Sequence, residues 1–204
     1  MRILLLCLWF SFGANNLFAI NGQAQKLDSL NWSVSLLGGA SNLSVKGFNS
    51  GEEKSTTGFG AIRITRKFES LIDLQLQVGL GSIRLNKNKT IGANSIPVLT
   101  YGTGLVLNIT QTRFQPYFDF GFGGVSYGRG TKTTSSSSVQ QQLEDQRGMY
   151  WQLGIGFKIL NTKGFGILVE TKYQNFTYPT NPQLNITIDH LEGFNFGIGL
   201  TKLF

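Results

Sequence analysis

Beyond its first few residues the chain has no run of 18 or more apolar residues, so its body holds no candidate membrane-spanning helix. Charged residues make up only 14% of the 204, and there are 4 prolines. So few charges argue against a disordered chain. One cysteine, Cys7, and one histidine, His190, are present. A lone cysteine excludes an internal disulfide framework. No zinc-ligand spacing, Walker loop or nucleophile elbow occurs, so no metal or cofactor is expected.

The opening residues form a separate object. Met1 and Arg2 precede an almost wholly apolar stretch, Ile3 to Phe12. Gly22, Gln23 and Ala24 then offer small residues for cleavage. This pattern reads as a secretory signal peptide over residues 1–24, with cleavage after Ala19 as the alternative. Cys7 would leave with it. Losing Arg2 lowers the formal net charge by one from +7. An exported basic chain points to anionic lipid headgroups rather than nucleic acid.

Glycine is abundant, at 26 residues. Five segments share Gly-x-Gly flanked by large apolar residues: Gly79/Gly81, Gly102/Gly104, Gly121/Gly123, Gly154/Gly156 and Gly197/Gly199. Alternate strand residues point to opposite faces. One face is therefore glycine and polar, and the other is Leu, Ile and Phe. Period-two alternation gives eight strands, at approximately 30–44, 58–66, 71–85, 95–109, 114–127, 148–160, 165–177 and 191–204. Short connections at Lys67–Ser70, Thr110–Arg113 and Asn161–Gly164 alternate with long ones at Lys46–Thr57, Asn86–Asn94, Gly128–Arg147 and Tyr178–His190. The third long connection contains Ser135–Ser138 and reads as a flexible polar tract. The alternation weakens at Leu37-Gly38-Gly39 and at Gly60, where a bulge is expected.

The apolar set numbers roughly 35 side chains, whereas an eight-stranded interior holds on the order of 12. It must face outward. The expected fold is an all-β, eight-stranded, antiparallel, up-and-down transmembrane barrel spanning residues 25–204. A two-sheet sandwich is the competing fold, but its solvent face should carry Lys, Glu and Thr. The inward face then holds Arg63, Lys158 and Lys172 against Asp73, Asp119 and Glu170. Folding the hairpins about Phe68 and Gly164 places Arg63 opposite Asp73 and Lys158 opposite Glu170. Buried charges require partners, so these six residues form an expected polar plug, with a charged pore as the alternative. Trp32, Tyr101, Trp151, Tyr173 and Phe204 face outward as candidates for interfacial girdles.

Catalysis has little support. His190 stands beside Asp189 and near Glu192 at the rim, which leaves a lipid-modifying enzyme as a distant alternative. Arg84, Lys87 and Lys89 form a basic cluster able to neutralise lipopolysaccharide phosphates.

Three segments carry a family likeness. They are Ser95-Ile-Pro-Val-Leu99, Pro116-Tyr-Phe-Asp-Phe-Gly-Phe-Gly123 and the ending Phe194-Asn-Phe-Gly-Ile-Gly-Leu-Thr-Lys-Leu-Phe204. The chain resembles the small outer-membrane β-barrel family of Gram-negative bacteria. It is closest to the porin-family, PorT-like barrels of the Bacteroidetes, and more distantly similar to OmpX and the barrel of OmpA. The resemblance implies an outer-membrane location, lipid and lipopolysaccharide contacts, and a monomer. Phe204 resembles the terminal signal read by the barrel-assembly machinery, although Lys202 departs from the usual apolar residue there. It implies no shared catalytic residues. The expected role is structural or surface-interacting, through the long loops and without enzymatic activity, with a narrow channel or transport accessory as the alternative.

Overall fold

The computed structural model describes residues 31–47, 51–83, 96–128, 131–132, 141–142, 146–177 and 188–204. The side chains of 45–47, 51–53, 131–132, 141–142 and 188–190 fall outside that description. The expected signal peptide therefore lies outside the described residues.

The strands are β1 Trp32–Gly47, β2 Gly51–Lys67, β3 Ile72–Ile83, β4 Ile96–Asn108, β5 Phe114–Tyr127, β6 Thr131–Lys132, β7 Gln141–Gln142, β8 Gln146–Leu160, β9 Phe165–Phe176 and β10 Ile188–Leu203. Eight of them close a barrel in the order β1-β10-β9-β8-β5-β4-β3-β2. Every neighbouring pair is antiparallel, and β1 meets β10 to complete the ring. Closure leaves the barrel without a free edge.

The wall is inverted relative to a water-soluble protein. Leu76 on β3 and Ile198 on β10 are 61% and 62% exposed, while Arg63 and Asp119 are 1% and 2% exposed. Along β8 the outward residues Met149, Trp151, Leu153, Ile155 and Ile159 are all exposed, and Gln152 and Lys158 between them are buried. Seven of the eight strands leave this apolar wall at a polar outward residue: Asn42, Thr56, Ser82, Ser126, Arg147, Asn175 and Glu192; β4 leaves it at Pro97. From Met149 to Ile159, about ten steps of ~3.3 Å at a tilt of ~40° give an apolar band roughly 25 Å high. That matches the hydrocarbon-facing band of an outer-membrane barrel.

Asn31 and Phe204 both lie beside the short turns. The amides of Asn31 and Trp32 donate to the Phe204 carbonyl at 2.9 and 3.2 Å, and Phe204 N donates back to Trp32 O at 2.7 Å. The β8–β9 turn is built by Asn161. Its Oδ1 accepts the amides of Lys163 (2.9 Å) and Phe165 (3.0 Å). The turn closes through Gly164, whose φ of 72° is the left-handed conformation that glycine adopts without strain.

Three expectations are corrected. First, β1 and β2 remain paired from Asn42↔Thr56 out to Gly47↔Gly51. The connection expected over Lys46–Thr57 therefore shrinks to residues 48–50. The sequence of β2 there, Gly51-Glu-Glu-Lys-Ser-Thr56, has no apolar alternation to read, but backbone pairing needs no apolar pattern. Second, no bulge occurs at Gly60, which pairs in unbroken register with Gly38 and Leu80. Gly38 and Gly60 oppose each other on the outer wall, and Leu37 simply points inward. The irregularity recorded for β1 is at Lys46/Gly47. Third, the tract Gly128–Arg147 is not wholly irregular, because Thr131–Lys132 pairs with Gln141–Gln142.

Candidate functional site

The lumen is built in three levels. At the short-turn end, Lys158 Nζ lies 3.6 Å from Asp73 Oδ2. Asn108 Nδ2 donates to the same carboxylate at 2.9 Å. The ammonium also sits 5.3 Å above the Tyr117 ring. On the wall beside them, the Ser33 and Thr65 hydroxyls share a 2.5 Å hydrogen bond and Ser35 donates to Thr201 at 2.9 Å.

The middle level carries the charge. Arg63 on β2 reaches across the lumen, and its Nη2 donates to both Glu170 oxygens at 2.7 Å. Tyr117 Oη also donates to Glu170, at 2.7 Å. Lys172 lies 2.7 Å from Asp119 and 3.2 Å from Glu170. Arg63 stands 3.6 Å from Asp119. Two cations therefore face two carboxylates, all nearly sealed from solvent. Amides complete the set. Gln75 and Gln152 donate to Asp119 Oδ1 at 2.8 and 3.2 Å. Gln77 Oε1 accepts from Lys172 at 3.1 Å. Gln174 links Gln152 to Asn195 at 2.9 and 2.5 Å. Such a layer is stable only because each desolvated charge finds both an opposite charge and hydrogen bonds.

The glycines make room for this layer. A Cβ at Gly156 would lie 2.6 Å from the Tyr117 ring, and one at Gly154 would lie 2.7 Å from the stem of Lys172. At Gly104 it would meet the Gln75 amide at 2.8 Å and the Phe120 carbonyl oxygen at 2.1 Å. At Gly197 it would approach Phe59 at 3.2 Å and Glu170 at 3.4 Å. The inward half of each Gly-x-Gly is thus a seat for a bulky neighbour.

The third level, toward the long connections, is apolar. Leu43, Ile83, Ile96, Val98, Val125, Tyr127, Tyr150, Phe176 and Leu191 form one buried cluster. Two small cavities of about 50 Å³ each flank the charged level and share no lining residue. Each has room for a water or two, at ~30 Å³ per water. Among the described residues no cluster of three His, Cys, Asp or Glu is placed to hold a metal ion.

All six sequence-derived charges lie in the lumen, but not with the expected neighbours. Arg63 stands opposite Gln77, not Asp73, and Lys158 stands opposite Leu168, not Glu170. The β2–β3 hairpin turns about Ser70 and the β8–β9 hairpin about Lys163. Each shift is an even number of residues, so the faces are kept while the partners change. The main salt bridge joins strands on opposite sides of the lumen, which no hairpin folding can reveal. Gln75, Gln77 and Gln152 belong to the polar face that the alternation defines, but a count of charges leaves out their part in the network, as it does those of Gln174, Asn195 and Tyr117, which shares strand and face with Asp119. The apolar level was missed because Ile96–Leu99 is apolar on both faces apart from Pro97.

Trp32, Tyr101, Trp151, Tyr173 and Phe204 all face outward. Trp151, Tyr173 and Phe194 touch in sequence, tilted and then edge-to-face, at 5.5 Å between centroids at the upper edge of the band, where Tyr173 Oη also donates to Glu192. His190 is paired through its backbone with Lys46 on β1; its side chain lies outside the described residues. Arg84, Lys87, Lys89 and Ser135–Ser138 also lie outside them.

No protein-family model matches the chain, and no curated protein matches it. Solved structures do. The chain is similar to the Neisserial surface protein A, NspA, with a TM-score of 0.61 at 8% identity over 85% of this chain and 97% of that one. It is similar to Ail, the attachment invasion locus protein of Yersinia pestis, with a TM-score of 0.51 at 12% identity, covering 86% and 100%. A major outer membrane protein from Thermus thermophilus gives 0.54 at 10% identity, covering 85% and 99%. At these identities the likeness is one of fold: the small, closed barrel of outer-membrane proteins.

Proposed function

We propose that this chain is an integral protein of the bacterial outer membrane with a non-enzymatic structural or surface-interaction role. The observation that carries this reading is the combination of an apolar outer wall with a lumen closed by the Arg63–Glu170–Asp119–Lys172 level and the apolar cluster beyond it. A filled barrel offers its ends to partners rather than its interior. The β1–β2 hairpin, paired past the apolar band as far as Gly47↔Gly51, and the connections beside it form the surface for contact. Export by an amino-terminal signal, lipopolysaccharide contact through Arg84, Lys87 and Lys89, recognition of Phe204 by the assembly machinery, and kinship with the Bacteroidetes porin-family barrels belong to the same proposal. They are supported by the sequence segments described above. Ail, an attachment protein by its name, illustrates such a role on a similar fold.

A narrow channel is the second reading, favoured by the charges and by the two cavities that approach the middle level from either end. Recording in planar lipid bilayers separates the two. The purified barrel should give no resolved conductance steps, and steps of uniform size would favour the channel.

A further inference from the structure

The outer wall carries two cations, Arg66 and Lys202, at the barrel's closing seam. At the short-turn edge of the apolar band Trp32 on β1 pairs with Arg66 on β2 and bonds to Phe204, while Lys202 on β10 pairs with Val34, the next outward residue of β1, and with Phe165 of β9. The Arg66 guanidinium lies 5.3 Å above the Trp32 ring, and the Lys202 ammonium lies 5.8 Å above the Phe204 ring. Trp32 and Phe204 are 47% and 60% exposed, so both rings are open to the surroundings. Lys202 spends one donor on the Lys163 carbonyl, at 2.6 Å, and keeps two. Among the described residues no carboxylate is paired with Arg66 or Lys202. The opposite rim differs, because Arg147 and Lys54 share it with Glu192.

A cation held over an interfacial ring sits at headgroup depth, with its stem along the apolar wall. Here two such cations stand on either side of β1, Arg66 level with Trp32 and Lys202 level with Val34, the next outward residue. Val34 lies between Ile64 and Lys202, and Leu200 is the next outward residue of β10; Val34, Ile64 and Leu200 are all exposed. We infer that this seam binds the headgroup of an anionic glycerophospholipid from the leaflet at the short-turn end. The lipid phosphate would lie over Trp32 between Arg66 and Lys202, and the acyl chains along Val34, Ile64 and Leu200. A zwitterionic lipid brings its own ammonium to the two cations and binds less well. The inference rests on the lipid-facing reading of the barrel. It gives the departure at Lys202 from an apolar residue a purpose.

Native mass spectrometry of the detergent-solubilised, folded barrel tests it, with phosphatidylglycerol and phosphatidylcholine titrated in turn. Wild-type protein should retain phosphatidylglycerol preferentially. Arg66→Gln/Lys202→Gln should lower that retention on the order of tenfold, from the loss of two cations at the membrane surface. Lys54→Gln/Arg113→Gln removes the same charge elsewhere and should retain the lipid as wild type does. Equal loss in both double variants, or none in the first, would overturn the inference. So would displacement of the lipid by soluble glycerol phosphate, which would mark an anion site rather than a lipid site. The single variants Arg66→Gln and Lys202→Gln serve if the double variant does not fold, each with a smaller loss. Gel mobility before and after boiling is recorded for every variant. A heat-modifiable barrel with no lipid preference sinks the inference and spares the barrel reading. A chain that stays soluble without detergent sinks the barrel reading itself.

Discussion

Replacing Arg63 with methionine tests the charged level most sharply. The guanidinium is almost fully buried and donates to both oxygens of Glu170 at 2.7 Å. Without it Lys172 alone must balance Glu170 and Asp119, and one buried negative charge is left over. Breaking one side of a buried ion pair costs about 3–5 kcal/mol, a large share of the ~5–15 kcal/mol that holds a typical domain folded. Glu170→Gln leaves the opposite excess and should cost a similar amount. The double variant Arg63→Met/Glu170→Gln restores balance, because Lys172 and Asp119 remain paired and the new amide still accepts from Tyr117. Its cost should fall short of the sum of the two singles by about 2 kcal/mol or more. Urea unfolding in detergent micelles, followed by the fluorescence of Trp32 and Trp151, measures all four corners. Single costs below about 1 kcal/mol, as for exposed pairs, would refute the reasoning. So would a double cost equal to the sum.

Other consequences follow from packing. Gly156→Val drives a side chain into the Tyr117 ring and should lower stability by about 1–3 kcal/mol, read as a lower urea midpoint. Gly164→Val forces a β-branched residue into the left-handed region and should cost about 1–2 kcal/mol without altering the gel shift of the barrel that does form. Proteinase added to the membrane-inserted protein should cut at the connections opposite the short turns. Fragments ending within β3, β9 or the apolar part of β10 would count against the fold.

The wall was legible in the sequence because a strand's period of two survives any error in where a hairpin turns. Leu74, Leu76, Val78 and Leu80 can face only one way once Gln75 and Gln77 face the other. Partners were not legible for the same reason. A slip of two or four residues leaves each face intact but moves Arg63 from Asp73 to Gln77. Its true partners, Glu170 and Asp119, lie across the lumen on strands far along the chain, where closure and not local pairing sets the contact. Lengths were misjudged where the sequence has no apolar alternation, as in Gly51–Ser55 of β2. That the glycines make room for a ring and a lysine stem became clear only with Tyr117 and Lys172 in place.

The measurement closest to the central claim is fluorescence quenching of single tryptophans in lipid vesicles. A tryptophan at Leu76, with Trp9, Trp32 and Trp151 replaced by phenylalanine, should be strongly quenched by phospholipids brominated on their acyl chains and scarcely touched by aqueous iodide. Quenching by iodide with no effect of the brominated chains would contradict a wall that faces hydrocarbon.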